Sequence, residues 1–308
     1  MKKKIVGMGE VLWDILPERT CLGGAPANFA YITTLMGDRG IVASRVGQDA
    51  LGREALCRMQ ELGLGIDEVQ TDSEHPTGAV HVEVDDQGLP RYEIAQPVAW
   101  DFLMWTPAWQ QLAETADAVC FGSLAQRSDT SRETIRRFIQ TSKGALKIFD
   151  VNLRQSYYSQ AVLAYSMELA DIVKLNDEEL PKIMALNQFP HQGERSSAQK
   201  LIDAFNLKLV CVTRGGHGSL LVTKDAVSEH AGFHVKVADT VGSGDAYTAG
   251  LVHEYLKVAS HDSASPDSIN LDSMNEVANR VGAWVASEVG AMPIPRQGNL
   301  ERALAEIR

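Results

Sequence analysis

Four short, mostly apolar runs, at residues 118–121, 146–149, 172–175 and 209–212, constrain this chain more than any other feature. Apolarity that is continuous rather than alternating suits a strand buried on both faces, which points to a parallel sheet covered by helices. Residues 132–140, 160–169, 177–186 and 197–205 carry helix formers with apolar residues three or four apart. Strand and helix in alternation predict an α/β fold with a doubly wound, mainly parallel sheet flanked by helices. Ligands of such sheets bind outside the carboxyl ends of the strands. Polar or glycine clusters follow each run there: Gly122-Ser123, Asp150 to Arg154, Asn176 to Glu179 and Thr213 to Gly218. Four strands are thus expected to deliver side chains to one rim.

Residues 77–94 read differently. Val80, Val82 and Val84 alternate with His81, Glu83 and Asp85 before an Asp85-Asp86-Gln87-Gly88 turn, predicting a half-exposed hairpin. With an opening strand over 5–16 it is expected to form a small sheet off the main domain, built from about residues 10–20 and 75–105. That sheet is either a lid over a ligand or an edge hairpin with no gating role. Trp100, Trp105 and Trp109 are expected to pack between it and the main domain.

A chain of 308 residues with 44% hydrophobic content can bury a large core, and no linker or fixed repeat divides it, so one domain over 1–308 is expected. The net charge of −11 argues against nucleic acid as a partner, because neutralising many phosphates takes a basic face. The three lysines after Met1 meet Glu10 and Asp14 before an apolar region forms, and no apolar stretch approaches the roughly 18 residues of a membrane helix. A cytoplasmic protein with no membrane partner is the expectation. Cys21, Cys57, Cys120 and Cys211 stand far apart without a Cys-x-x-Cys pair and read as reduced thiols, Cys120 and Cys211 in buried strands.

Asp239-Thr240-Val241-Gly242-Ser243-Gly244-Asp245 precedes a stripe of Leu251, Val252, Tyr255, Leu256 and Ala259 at helical period, so a helix begins at or near Asp245. Unpaired N–H groups of Gly242, Ser243 and Gly244, at the positive end of the helix dipole, can hold phosphoryl charge. A carboxylate beside them can take a proton from an attacking hydroxyl. The residues alone allow equally that Asp245 caps the helix and the glycines make the turn. Neither Gly-x-x-x-x-Gly-Lys-Ser/Thr nor a Gly-x-Gly-x-x-Gly after the first strand is present, so a P-loop enzyme or a dinucleotide oxidoreductase is not expected.

The 239–245 segment with Ala246 resembles the C-terminal signature of the ribokinase-like, or PfkB-type, carbohydrate kinases. Gly23-Gly24-Ala25-Pro26-Ala27-Asn28, running on to Gly37, with Arg45-Val46-Gly47-Gln48-Asp49-Ala50-Leu51-Gly52 after it, resembles the N-terminal signature. Asn176-x-x-Glu179 and Thr213-x-Gly215-x-x-Gly218 lie between, so the resemblance spans essentially the whole chain. It implies a ribokinase-like fold with a β lid, and ATP with a divalent ion, Mg2+, as phosphoryl donor. Asp245 matches the catalytic base, and Gly242, Ser243 and Gly244 the anion hole. Asn176 and Glu179 match a motif that orders magnesium and phosphate, often through water; the residues themselves also fit a helix start. Thr213, Gly215 and Gly218 resemble the nucleotide-side loop, with Asn176 close by, and Asn279 falls in the helix whose counterpart borders the adenine. Asp239, the carbonyl of Val241 and the Gly290-Ala291 turn resemble a monovalent-cation site, although family members often carry Thr where Val241 stands; K+ is an option on that basis. The resemblance also leaves room for a homodimer through the lid.

For the acceptor, Gly9-Glu10-Val11-Leu12-Trp13-Asp14 resembles the opening of bacterial fructokinases and 2-keto-3-deoxygluconate kinases, where the aspartate binds sugar hydroxyls; a carboxylate accepts two such protons at once. Gly24 and Asn28 are expected in the same pocket. Residues 121–128 and 150–154 look most like the fructokinase subgroup, with Asn152 and Arg154 on the substrate, or Arg154 on the ATP phosphates. The resemblance implies D-fructose phosphorylated at its 6-hydroxyl. A kinase of 2-keto-3-deoxygluconate, ribose, a nucleoside or another small sugar stays open, as does a non-catalytic sugar-binding regulator on the same fold.

Overall fold

The structure is a computed structural model and describes residues 2–15, 18–84, 90–259 and 270–307. Strands β1 (Lys4–Met8), β2 (Leu12–Ile15) and β3 (Thr20–Gly23) lead into helix α1 (Ala25–Leu35). Next come β4 (Arg39–Gly47), α2 (Ala50–Glu61), β5 (Val69–Asp72), β6 (Gly78–Val84), β7 (Pro90–Ile94) and α3 (Pro107–Thr115). The chain then alternates through β8 (Ala118–Gly122), α4 (Asp129–Thr141), β9 (Leu146–Asp150), α5 (Gln160–Leu169), β10 (Ile172–Asn176), α6 (Glu179–Leu186), α7 (Glu194–Phe205) and β11 (Leu209–Thr213). An edge pair, β12 (Ser219–Val222) and β13 (Val227–His230), precedes α8 (Ser243–Ala259), α9 (Leu271–Ala286) and α10 (Leu300–Ala305).

Among the described residues the strands form a nine-stranded sheet, ordered β13-β12-β11-β10-β9-β8-β1-β4-β5, and a four-stranded sheet, β3-β2-β6-β7. From β5 to β11 the large sheet is parallel, and β12 and β13 add an antiparallel edge. Alternate residues of each strand face opposite layers. Val119, Phe121, Phe149 and Val173 pack with Phe138 of α4, Leu163 of α5, Ile183 of α6 and Leu201 of α7. Ala118, Cys120, Ile148 and Ile172 pack with Phe29 of α1, Val252 of α8 and Val281 of α9. Burial on both faces is why these strands read as apolar runs. Cys120 and Cys211 are buried and unpaired, as their place in strands required. No helix among the described residues is long and apolar enough to cross a membrane.

Strands β8 to β11 each extend one residue past the predicted run, so Gly122, Asp150, Asn176 and Thr213 end them at the same edge. Gly122 pairs in register with Asp150, and Asn176 with Thr213. The single opening strand expected over 5–16 is instead two. β1 sits inside the large sheet between β4 and β8, and β2 belongs to the small sheet. The break falls at Gly9, whose φ of 145° is open to glycine and whose N–H bonds the Ala43 carbonyl at 3.1 Å. The small sheet also gains β3, which had no sequence expectation, and its strands lie within 12–23 and 78–94. β6 and β7 pair antiparallel as predicted, while the turn at Asp85 to Gly88 lies outside the described residues. Trp100 is at the seam, since a Cβ on Gly78 of β6 would fall 2.2 Å from its Nε1. Trp105 and Trp109 meet Phe138 of α4 edge-on.

Helix α1 lies directly on β1. A Cβ on Gly7 would stand 2.1 Å from the Pro26 carbonyl oxygen, so helix and strand backbones touch where any side chain would separate them. Gly7→Ala is therefore expected to cost about 1–3 kcal/mol of stability, the usual range for overpacking a dense core. Urea unfolding with an unchanged slope and a lower midpoint checks it.

Candidate active site

Helix α8 begins at Ser243, two residues before the predicted start, which puts Asp245 in its first turn. Gly242 makes the turn into it with φ of 78°, and a Cβ there would lie 2.4 Å from the Ala291 Cβ. The Ser243 N–H donates to the Thr240 carbonyl at 3.3 Å. Those of Gly242 and Gly244 have no acceptor among the described residues, so of the three predicted anion-hole donors these two are free to face an anion.

One hydrogen bond joins this helix start to the N-terminal motif: Asn28 Nδ2 donates to Asp245 Oδ2 at 2.7 Å, across 217 positions of sequence. Asn28 is buried in the first turn of α1, and its Oδ1 has no partner. Gly24 caps that helix with φ of 107°, where a Cβ would come 2.4 Å from the Glu10 carbonyl oxygen. Burial and the charge of Asp150 push the Asp245 carboxyl up to about 6, against the Asn28 hydrogen bond and the charges of Lys174 and Arg154.

Beneath Gly244 lies a buried ion pair. Lys174 Nζ, on β10, is 3.0 and 3.2 Å from the two carboxylate oxygens of Asp150 at the end of β9. A Cβ on Gly244 would sit 3.0 Å from that ammonium. Thr248 Oγ1 donates to Asp150 Oδ2 at 3.0 Å and lies equally far from the Gly244 carbonyl, tying α8 to the pair. Burial alone would lower the lysine pKa, but Asp150, Glu179 and Asp245 hold it above its ordinary value.

On the small-sheet side, Asp14 of β2 is half-buried. Burial raises its pKa, Arg154 and Arg19 oppose that, and Asp239 adds to it. A Cβ on Gly23 of β3 would meet Asp14 Oδ2 at 2.8 Å. The exposed Arg154 guanidinium reaches electrostatically to Glu10, Asp14 and Asp245 together. Asn152 turns the loop before it with φ of 42°, a conformation asparagine tolerates better than most residues. Glu10 is buried with Oε2 unpartnered, and its carboxyl is pushed up to about 7 by burial.

At the neighbouring strand ends, Glu179 accepts the Leu153 N–H at 2.7 Å on one carboxylate oxygen and the Asn176 N–H at 2.9 Å on the other. Asn176 Oδ1 accepts the N–H groups of Glu178 and Glu179 in return. Thr213 stands beside Asn176, and Gly215 and Gly218 follow with φ of 55° and 80°. Asn279 is not at a solvated position. It is buried, donating to Ser219 Oγ at 2.8 Å and to the Asn275 carbonyl at 2.7 Å. Asp239, Val241 and Gly290 do come together: Asp239 Oδ1 accepts the Val241 N–H at 3.0 Å and Oδ2 that of Gly290 at 3.3 Å. Arg19 Nη2 occupies Oδ2 as well, at 2.6 Å.

The sequence pattern of pfkB family carbohydrate kinases matches residues 19–297. The chain belongs to that family. This kinase is 30% identical over 316 aligned positions to the fructokinase of Escherichia coli, covering 98% of its own length and 99% of the relative's. A double-mutant Vibrio cholerae fructokinase, solved in fructose, ADP and potassium ion bound form, superposes with TM-score 0.81 at 26% identity, covering 100% of this kinase and 99% of the other chain. A Pyrococcus horikoshii sugar kinase in complex with ATP matches with TM-score 0.80 at 27% identity over 98% and 99% of the two chains.

Four side chains of this kinase's site escaped the sequence reading: Glu10, Arg19, Lys174 and Thr248. Lys174 carried a signal, being a charge inside a strand buried on both faces. Removing one partner of a buried pair strands the other charge, so Lys174→Met is expected to lose about 3–5 kcal/mol of stability. Lys174→Met with Asp150→Leu should recover most of that. A double-mutant cycle in urea checks it, and two additive losses would contradict the pairing.

Proposed function

We propose that this kinase transfers the γ-phosphoryl group of ATP to a sugar hydroxyl, the 6-hydroxyl of D-fructose, with Asp245 as the base. The observation that carries the reading is the Asn28 to Asp245 hydrogen bond, which joins the carboxylate of one motif to the asparagine of the other. Asp14, Asn28 and Gly24 line the sugar side, with Asn152 and Arg154 at its edge. Thr213, Gly215 and Gly218 border the nucleotide, and Asn279 holds α9 to β12 beside it.

In this reading Asp245 Oδ accepts the hydroxyl proton as the sugar oxygen bonds the γ-phosphorus. The bond from that phosphorus to the oxygen bridging to the β-phosphate breaks, and its electron pair leaves with ADP. The N–H groups of Gly242 and Gly244 stabilise charge on the transferring group, helped by the dipole of α8. Lys174 lies beneath them, its ammonium paired with Asp150. A carboxyl near 6 is ionised at neutral pH yet basic enough to take a proton.

Glu179 fits a hydrated Mg2+. Each carboxylate oxygen accepts one backbone N–H and keeps a lone pair for metal-bound water. Asn176 supports it, its Oδ1 being taken by two N–H groups. When bound, magnesium would neutralise phosphate charge.

Among the described residues, three carboxyl groups, Glu10, Asp14 and Asp245, face Arg154 as the one nearby cation not already paired with another carboxylate, since Arg19 is paired with Asp239 and Lys174 with Asp150, and this balance favours a neutral polyol over a sugar acid. That charge balance supports fructose above 2-keto-3-deoxygluconate, as do the fructokinase relatives. A sugar panel with coupled detection of ADP tests the acceptor, and a higher kcat/KM for the sugar acid than for fructose would sink the choice.

Asp245→Asn is expected to bind sugar and ATP nearly as before while losing at least about a hundredfold in kcat, the contribution of a general base. Near-normal turnover would rule the base out. The acid limb of kcat/KM should fall near pH 6, because the protonated carboxyl cannot accept the hydroxyl proton. Asn28→Ala removes a hydrogen bond that favours the carboxylate and should move the limb up; Asp150→Asn removes a repelling charge and should move it down. The profiles are measured also with Glu10→Gln, since Glu10 titrates near 7 in the same field.

A further inference from the structure

Asp239 is the one carboxylate of the cation site that the family resemblance implies, and in this chain both of its oxygens already meet donors. Oδ1 accepts the Val241 N–H, and Oδ2 accepts the Gly290 N–H and the guanidinium of Arg19. The Arg19 contact, at 2.6 Å, is the shortest of the three and brings a full positive charge. It is reached from the stem between β2 and β3, 220 positions away in sequence. The residues present therefore do not fit a monovalent metal ion: a cation beside Asp239 would face Arg19 with no uncompensated carboxylate to hold it.

We propose that Arg19 is the resident cation of the 239–245 turn, taking the place of a monovalent metal ion, so that this kinase works independently of potassium. The inference rests on the proposed function, in which that turn carries the anion hole and the base. Asp239 ties the turn to Gly290 through that residue's N–H, the neighbouring Ala291 packs on Gly242, and Arg19 helps hold Asp239 ionised in that position. A mobile ion would supply the charge and coordinate the turn, with no covalent tie to the rest of the chain. The arginine supplies the charge together with a link to the stem of the small sheet that bears Asp14. Arg19 touches no reacting atom and acts as a positioning residue. Burial would raise the Asp239 pKa, but the Val241 N–H and Arg19 hold it below the usual carboxylate range, so the pair stays ionised at neutral pH.

The test compares chloride salts of potassium, sodium and tetramethylammonium at constant ionic strength, reading two quantities on the full chain: Tm of the unliganded protein, and kcat with sugar and ATP. For the wild type, both should be the same in all three salts. Arg19→Ala should lower kcat about tenfold in tetramethylammonium, as expected for loss of a charge-assisted hydrogen bond, with potassium or guanidinium restoring kcat and raising Tm. Arg19→Lys, which keeps the charge, should stay indifferent to potassium. A wild type whose kcat or Tm rises selectively with potassium would overturn the inference, and so would an Arg19→Ala protein indifferent to it. Melting needs no turnover, so absence of sugar phosphorylation would count against the proposed function while the Tm series still judged Arg19.

Discussion

The buried pair of Lys174 and Asp150 is the interaction on which the rest of the site hangs. Two charges taken out of water are tolerable only with close geometry and further hydrogen bonds, and this pair has both: two contacts near 3 Å and the hydroxyl of Thr248. Its position does the rest. Asp150 ends β9, Lys174 lies two residues before the end of β10, and Thr248 is one turn into α8. A helix that begins the C-terminal part of the fold is thereby locked to the edge of the sheet where ligands of such folds bind. The glycine turn before it inherits that position, and the ammonium lies directly behind Gly244.

The large sheet was legible because it is buried on both faces, so that β8 to β11 wrote themselves as apolar runs and their last residues as polar breaks. The opening strand was misread for a related reason. Residues 5–16 mix apolar side chains with Glu10 and Asp14, and nothing in hydrophobic period distinguishes one strand from two that part at Gly9; the change of sheet is a matter of backbone direction. β3 is four residues long with a glycine at its end, too short for a periodic signal. The burial of Asn279 had no sequence signal, because its partners, Ser219 on β12 and Asn275 one turn earlier, become neighbours only when α9 packs on the sheet edge.

The site's parts were legible as motifs, but their joining was not. Asp245 with its glycines, and Asn28 with Gly24, each made local sense as a helix start, and the residues alone could not choose between a cap and a catalytic group. What supports the catalytic reading in the proposed function is a contact between helices α1 and α8 that no spacing encodes. Arg19 was invisible for the same reason. It stands alone in a short connection, and only the fold lays it on Asp239.

Two ties cross from the first thirty residues to the 239–245 segment, Asn28 to Asp245 and Arg19 to Asp239, and they bracket the glycine turn from either end. The first ends on an asparagine amide, which orients the carboxylate and favours its ionised form without neutralising it, so Asp245 keeps the basicity a proton acceptor needs. The second ends on a guanidinium, which neutralises Asp239 and leaves it a structural anchor. Had the two partners been exchanged, the proposed base would be quenched by a permanent cation and the anchor would be an uncompensated charge next to Asp14. In the proposed function, the difference between an amide and a guanidinium thus divides two aspartates six positions apart into a reactive one and a supporting one, and the division depends on where the N-terminal segments place each partner.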